Sequence, residues 1–197
     1  IDQLFIANTH DYILCFTNRG RVYWLKVWEV PQGSRNSRGK PIVNMFPLQP
    51  GEKVNVVLPL TNGFRSFPAD HYVFMATAQG VVKKTALDEF SNPRKAGIIA
   101  VDLDEGDFLI GAALTDGKHD VMLFSDGGKA VRFDEDDVRA MGRNARGVRG
   151  MMLEPGCMGG RLISRKPQRG PEESSRRSLH TFESLIARLF MHDEYRT

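Results

Sequence analysis

Three stretches of this 197-residue chain follow one template, with a period of about 50 residues, and that self-similarity constrains the fold more than any other feature. The first copy runs from His10 through Phe16 to Gly20 and Val22. The second runs from Asp70 through Ala76 to Gly80 and Val82, and the third from His119 through Phe124 to Gly128 and Val131. Phe16, Ala76 and Phe124 each lie four residues before their glycine, and Val30, Phe90 and Val138 lie ten residues after it. A second glycine (Gly39, Gly97, Gly147) precedes the apolar runs Ile42–Met45, Ile98–Val101 and Val148–Leu153. A third (Gly51, Gly106, Gly156) marks a turn before Val54–Leu60, Phe108–Leu114 and Arg161–Ser164.

Each repeat therefore reads strand, turn, strand, long loop, strand, turn, strand. The runs are short, rich in Val, Ile and Phe, and bounded by Gly, Asn and Asp, as strands are. Gly20, Gly80 and Gly128 are expected at positive φ in hairpin turns. A four-stranded sheet repeated in this way predicts an all-β, propeller-like array of about three blades in an incomplete ring. A single blade cannot bury both faces, so neighbours must cover them. The reading assigns residues 1–164 to blades, with repeats over 9–60, 70–114 and 118–164, and matches Ile1–Asn8 to the last strand of a preceding blade. Residues 165–178 are polar and read as a linker or disordered segment. Leu179, Phe182, Leu185, Ile186, Leu189 and Phe190 then fall at helical spacing, giving a short amphipathic helix or an unstructured tail over the rest of 165–197.

Composition narrows the function classes. No apolar stretch approaches the roughly 18 residues of a membrane span, so no membrane role is expected. Two cysteines, Cys15 and Cys157, exclude a disulfide scaffold and a Cys-based zinc site, and imply a reducing cytoplasmic setting. The chain opens at Ile1 with no basic, apolar leader and reads as a piece of a longer protein. The net charge of +3 is uneven: residues 1–156 hold 19 Lys and Arg against 19 Asp and Glu, and the excess lies in the tail.

No arrangement suited to catalysis or cofactor binding emerges. The pairs His10-Asp11, Asp70-His71 and His119-Asp120 sit one per repeat at the same turn, where they are expected to bond local backbone rather than converge on a metal. The acidic runs 102–107 and 134–137 lack the ligand spacing of a calcium loop and read as solvated turns. Cys15, inside an apolar run, is expected to be buried and inert. Catalytic residues, metal sites and cofactors are all expected to be absent.

The long loops are more telling. They carry Arg35, Arg38 and Lys40 in the first repeat, Arg94 and Lys95 in the second, and Arg139, Arg143, Arg146 and Arg149 in the third. The adjacent strands add Lys83, Lys84 and Arg132. Equivalent loops of a propeller share a rim, so these residues predict a basic stripe able to follow a polyanion backbone. The competing reading is a protein-interaction propeller whose rim grips an acidic partner.

Several segments resemble the C-terminal domain of DNA gyrase A over about residues 1–156. They are Ala7–Asp11, Asn18–Tyr23, Pro41–Asn44, Phe74–Ala78, Val82–Thr85, Val121–Ser125 and Val138–Gly142. The resemblance implies a β-pinwheel, a propeller with an altered strand connection between blades. It further implies that duplex DNA wraps on the basic rim without sequence specificity, in a bacterial ATP-dependent type II topoisomerase that introduces negative supercoils. The implied partners are the remainder of the gyrase A protein and the gyrase B protein. Strand cleavage and ATP hydrolysis would lie outside this segment, so Tyr12, Tyr23, Tyr72 and Tyr195 are not read as the cleaving tyrosine. The family's wrapping signature, Gln-Arg-Arg-Gly-Gly-Lys-Gly, is absent, and the loop Gln32–Lys40 is a diverged relative of it.

Overall fold

The opening hairpin of each repeat forms where the template places it. β1 (Tyr12–Thr17) pairs with β2 (Arg21–Lys26), β4 (Tyr72–Thr77) with β5 (Val81–Ala86), and β8 (Asp120–Ser125) with β9 (Ala130–Asp134). The computed structural model describes residues 4–34, 36, 38–60, 67, 68 and 70–166; the expected tail helix lies outside them. The hairpin turns need a left-handed residue, and Gly20, Gly80 and Gly128 provide it at φ of +70, +80 and +77°. A hydroxyl closes each turn from inside. Thr17 Oγ1, Thr77 Oγ1 and Ser125 Oγ accept from the N–H of Arg21, Val81 and Lys129 at 3.3, 3.3 and 3.1 Å.

The last strand of each repeat, β3 (Val54–Leu60), β7 (Leu109–Thr115) or β11 (Gly159–Arg165), pairs antiparallel with the first arm of its own hairpin. The third run behaves differently. β6 (Ile98–Ile99) of the second repeat joins β2 of the first, pairing Ile98 with Val22 and Ile99 with Arg21. β10 (Val148–Arg149) of the third repeat joins β5 of the second. The sheet orders are β3-β1-β2-β6, β10-β5-β4-β7 and β11-β8-β9. The four runs of one repeat thus belong to two sheets. β7 contacts both β3 and β11, so these strands gather together while β6 and β10 lie at the far sheet edges.

Two expected strands are not formed. Residues 4–8 are irregular. Ile42–Met45 is a 3-10 turn rather than a strand. Its counterparts pair with the sheet of the preceding repeat, and among the described residues no such sheet precedes β1. A strand needs a partner for its backbone groups. Ile42, Met45, Phe46 and Leu48 instead pack on Ile13, Cys15, Tyr23 and Leu25, covering one face of the first sheet.

Alternation sends neighbouring strand residues to opposite faces. Leu14, Phe16 and Val22 therefore cluster with Val73, Met75, Leu87, Phe90 and Leu109 between the first two sheets. Phe74, Ala76 and Val82, on the other face of the second sheet, cluster with Val121, Leu123, Val138 and Met151. Among the described residues no helix is long and apolar enough to cross a membrane.

Candidate nucleic-acid interface

The long loops are fixed to the sheet edges by repeated contacts. The segment 91–101 begins after a 3-10 turn (Leu87–Phe90) and crosses to the edge of the first sheet. There the Trp24 indole donates to the Phe90 carbonyl at 3.0 Å and Arg21 donates to the Ala96 carbonyl at 2.6 Å. The Gly20 carbonyl accepts from the N–H groups of Ala100 and Val101 at 2.8 and 3.1 Å. The segment 138–151 repeats this on the second sheet. Met141 N–H donates to the Lys84 carbonyl at 2.8 Å, and the Gly80 carbonyl accepts from Gly150 and Met151 at 2.9 and 3.1 Å. The two segments also meet, with Asp102 N–H 3.4 Å from the Ala145 carbonyl.

Arg94, Lys95, Arg139 and Arg149 are exposed on these segments, and Arg38 and Lys40 on the first-repeat loop, which leads into the 3-10 turn Ile42–Met45 rather than onto a sheet edge; among the described residues none of the six has a carboxylate within ion-pair reach. Arg35 lies outside the described residues. Arg146 is exposed but engaged, with Nε 3.3 Å from Asp102 Oδ2 and Nη1 2.9 Å from Asp104 Oδ1. Arg143 is half-buried, its Nε 3.5 Å from Glu89 Oε2, beside a shallow depression lined by Glu89, Gly142, Asn144 and Ala145.

Of the three strand-borne cations, Lys83 and Lys84 are buried, against expectation, whereas Arg132 is exposed. Lys83 is 1% exposed, and its ammonium donates to the carbonyls of Ala100, at 2.7 Å, and Arg143. Burial, reinforced by the Arg143 charge, lowers its pKa to about 8. Lys84 is also buried; it donates to the Glu135 carbonyl at 3.1 Å and sits 5.1 Å from the Tyr72 ring centroid. Arg132 pairs with Asp120 at 2.6 Å. The reason is geometric. Lys83 and Lys84 stand perpendicular to the second sheet, toward the sheets packed on its two faces, whereas Arg132 stands on β9, at the edge of the third. Lys84 and Trp24 occupy the same template position, four residues after the turn glycine, and each donates to the 3-10 turn of the next stretch of chain.

The acidic runs split. Asp102 and Asp104 are exposed, but Glu135 is fully buried. Its carboxylate accepts from the Thr115 hydroxyl and, at 3.2 Å, from His119 N–H. The solvated-turn reading therefore fails at Glu135, because only that side chain of the run points between sheets. Glu52 is similarly enclosed, accepting from Thr17 Oγ1 at 2.8 Å, Gln49 N–H at 2.9 Å and the Tyr23 hydroxyl at 3.3 Å. Burial, with the Glu52 charge, raises the Tyr23 pKa. Neither buried glutamate stands out in the sequence. The hairpin hydroxyl at Thr17 is a signal for Glu52 alone, since Glu135 bonds Thr115 outside the hairpin turns.

Of the His/Asp pairs, the first bonds its local backbone, whereas Asp70 and His71 bond each other and His119 reaches across to the last strand. Asp11 Oδ2 accepts from Asn8 N–H at 2.8 Å, His71 Nδ1 lies 2.9 Å from Asp70 Oδ1, and His119 Nδ1 lies 2.8 Å from Ser164 Oγ. Among the described residues no three His, Cys, Asp or Glu side chains gather as metal ligands. Cys15 is fully buried, and burial pushes its thiol pKa up to about 12.

The family model described as DNA gyrase C-terminal domain, beta-propeller, matches residues 11–60, 71–116 and 119–164. The DNA gyrase A protein of Klebsiella oxytoca is 61% identical over 153 residues, which are 78% of this chain and 17% of that protein. The crystal structure of the C-terminal domain of DNA topoisomerase IV superposes with a TM-score of 0.73 at 30% identity, covering 82% of this chain and 49% of that one. A DNA gyrase A C-terminal domain structure gives 0.63 at 26% identity, covering 80% and 49%. The chain thus spans about a sixth of the length of the Klebsiella relative, whose covered share is 17%.

Proposed function

Because this chain belongs to the DNA gyrase C-terminal domain family, we propose that its outer edge binds duplex DNA without sequence preference, as the wrapping segment of a gyrase A protein. On this reading the partners are duplex DNA, the remainder of gyrase A and the gyrase B protein, in the cytoplasm of a bacterium. The chain contributes binding, while cleavage and ATP hydrolysis belong to other parts of the enzyme.

The observation that carries this reading is the repeated docking of the basic loops. Segments 91–101 and 138–151 attach to successive sheet edges through the same glycine carbonyl, at Gly20 and Gly80. Exposed Arg94, Lys95, Arg139 and Arg149 therefore recur along adjoining edges, while Arg38 and Lys40 are exposed on the corresponding, undocked stretch of the first repeat. Cations spaced along an edge neutralise a phosphate backbone without reading bases. Bending 20–30 bp of duplex costs on the order of 1–6 kcal/mol, so several such contacts are needed to offset it.

The test is titration of random-sequence duplex into the full chain at several salt concentrations. Four to six phosphate contacts give a log–log salt slope of roughly −4 to −5. Salt-independent binding, marked preference for one sequence, or tighter binding to an acidic polypeptide than to DNA overturns the proposal.

A further inference from the structure

Arg146 differs from the other exposed loop cations in being enclosed by two carboxylates of the neighbouring repeat. Its Nε lies 3.3 Å from Asp102 Oδ2 and its Nη1 2.9 Å from Asp104 Oδ1. The backbone keeps them there, since Asp102 N–H reaches the Ala145 carbonyl and Val101 N–H is bonded to Gly20. All three side chains are about half exposed or more, at 68%, 51% and 52% for Arg146, Asp102 and Asp104. A guanidinium presents a planar fork of donors that suits carboxylate and phosphate oxygens alike. Here that fork is filled from within the chain. Two negative charges around one positive charge also leave this stretch of the edge locally anionic, unlike the stretch at Arg94 and Lys95.

We propose that Asp102 and Asp104 hold Arg146 in the place of a phosphate and thereby restrain how tightly the edge binds DNA. The inference rests on the DNA-binding reading above. DNA reaching this position must exchange a phosphate for the two carboxylates. Solvent-exposed pairs of this kind are weak and screened, so the exchange is open, but it lowers the net gain from Arg146. It also removes Arg146 from the set of groups whose engagement releases DNA counterions without a compensating cost. Asp102 and Asp104 thus set both affinity and salt sensitivity.

The experiment compares the full chain with D102N/D104N, using random-sequence duplex over a range of salt concentrations. D102N/D104N should bind roughly three- to tenfold more tightly at low salt, with a slope steeper by up to about 0.9. Two further variants separate a specific release of Arg146 from a general gain in positive charge. E105Q/D137N removes two exposed carboxylates that have no cationic partner among the described residues, and should give less than half the gain. In an Arg146→Gln background the D102N/D104N gain should shrink to the level of that control. Equal gains in D102N/D104N and E105Q/D137N, or a full gain that persists without Arg146, overturn the proposal. Wild-type chain that binds no duplex overturns the DNA-binding reading itself.

Discussion

The ammonium of Lys83 lies 2.7 Å from the carbonyl oxygen of Ala100, in the space between two successive docked loops. The same group reaches the Arg143 carbonyl in the following loop. A lysine that looks like a phosphate ligand in the sequence therefore ties together the segments that carry other cations.

Burial makes that tie pH-dependent. The folded chain lowers the Lys83 pKa to about 8, from an ordinary 10.5. Between those values the unfolded chain binds the extra proton, so stability rises with pH across this window. Wild type should gain on Lys83→Met from pH 8 to pH 10, by at most about 3 kcal/mol. Urea denaturation of both proteins at several pH values measures it; parallel pH profiles would refute the assignment.

The hairpin glycines should not be equally replaceable. Gly80 has φ +80°, and a Cβ there would lie 2.6 Å from the Met151 carbonyl oxygen. Gly128 has φ +77° with nothing within 4 Å. Gly128→Ala should cost about 1–2 kcal/mol from the left-handed backbone alone. Gly80→Ala should cost a further 1–3 kcal/mol, roughly, because the docked strand must move. Denaturation midpoints of the two variants give the comparison directly.

The two thiols should react at different rates. Cys15 is fully buried with a pKa near 12, whereas Cys157 is half-buried. An aromatic disulfide reagent at pH 8 should titrate Cys157 in the native chain and reach Cys15 only after denaturant is added. Rapid release of two equivalents from native protein would contradict the packing described.

Loop and strand cations should separate in a binding assay. R94Q/K95Q removes two exposed charges and should flatten the salt slope for duplex binding by up to about 1.8. Lys84→Met should leave that slope unchanged and cost about 1–3 kcal/mol of stability, since the Glu135 carbonyl loses one of its two donors and Asp136 its ion-pair partner. A slope change with Lys84→Met would place that lysine at the DNA after all.

The periodic signal makes most of this architecture legible. Glycine spacing locates the three hairpins, and the apolar runs after the third glycines locate β3, β7 and β11 to within a residue or two. Sheet membership is less accessible. Ile98 pairs with Val22, seventy-six positions away in the chain, and hydrophobic pattern alone carries no record of which edge a short strand joins. Side-chain direction is the second gap. Lys83 and Lys95 look alike as letters, yet one stands on a strand facing the next sheet and the other on a loop at its edge. Glu135 stays hidden for a related reason: the run Asp134–Asp137 looks uniformly solvated until Thr115 and His119 are brought beside it.

The borrowed edge strands also bear on how the chain comes off the ribosome. The first sheet draws on residues from Tyr12 in the first repeat to Ile99 in the second. Its outer edge stays open until translation has passed the middle of the second repeat, and the second sheet waits in the same way for Arg149. The first two sheets are thus completed one repeat late, leaving a nascent edge available to pair wrongly with another emerging chain. A pause in synthesis before Ile98 and Ile99 emerge from the ribosome would prolong that exposure, whereas one after they have emerged would not.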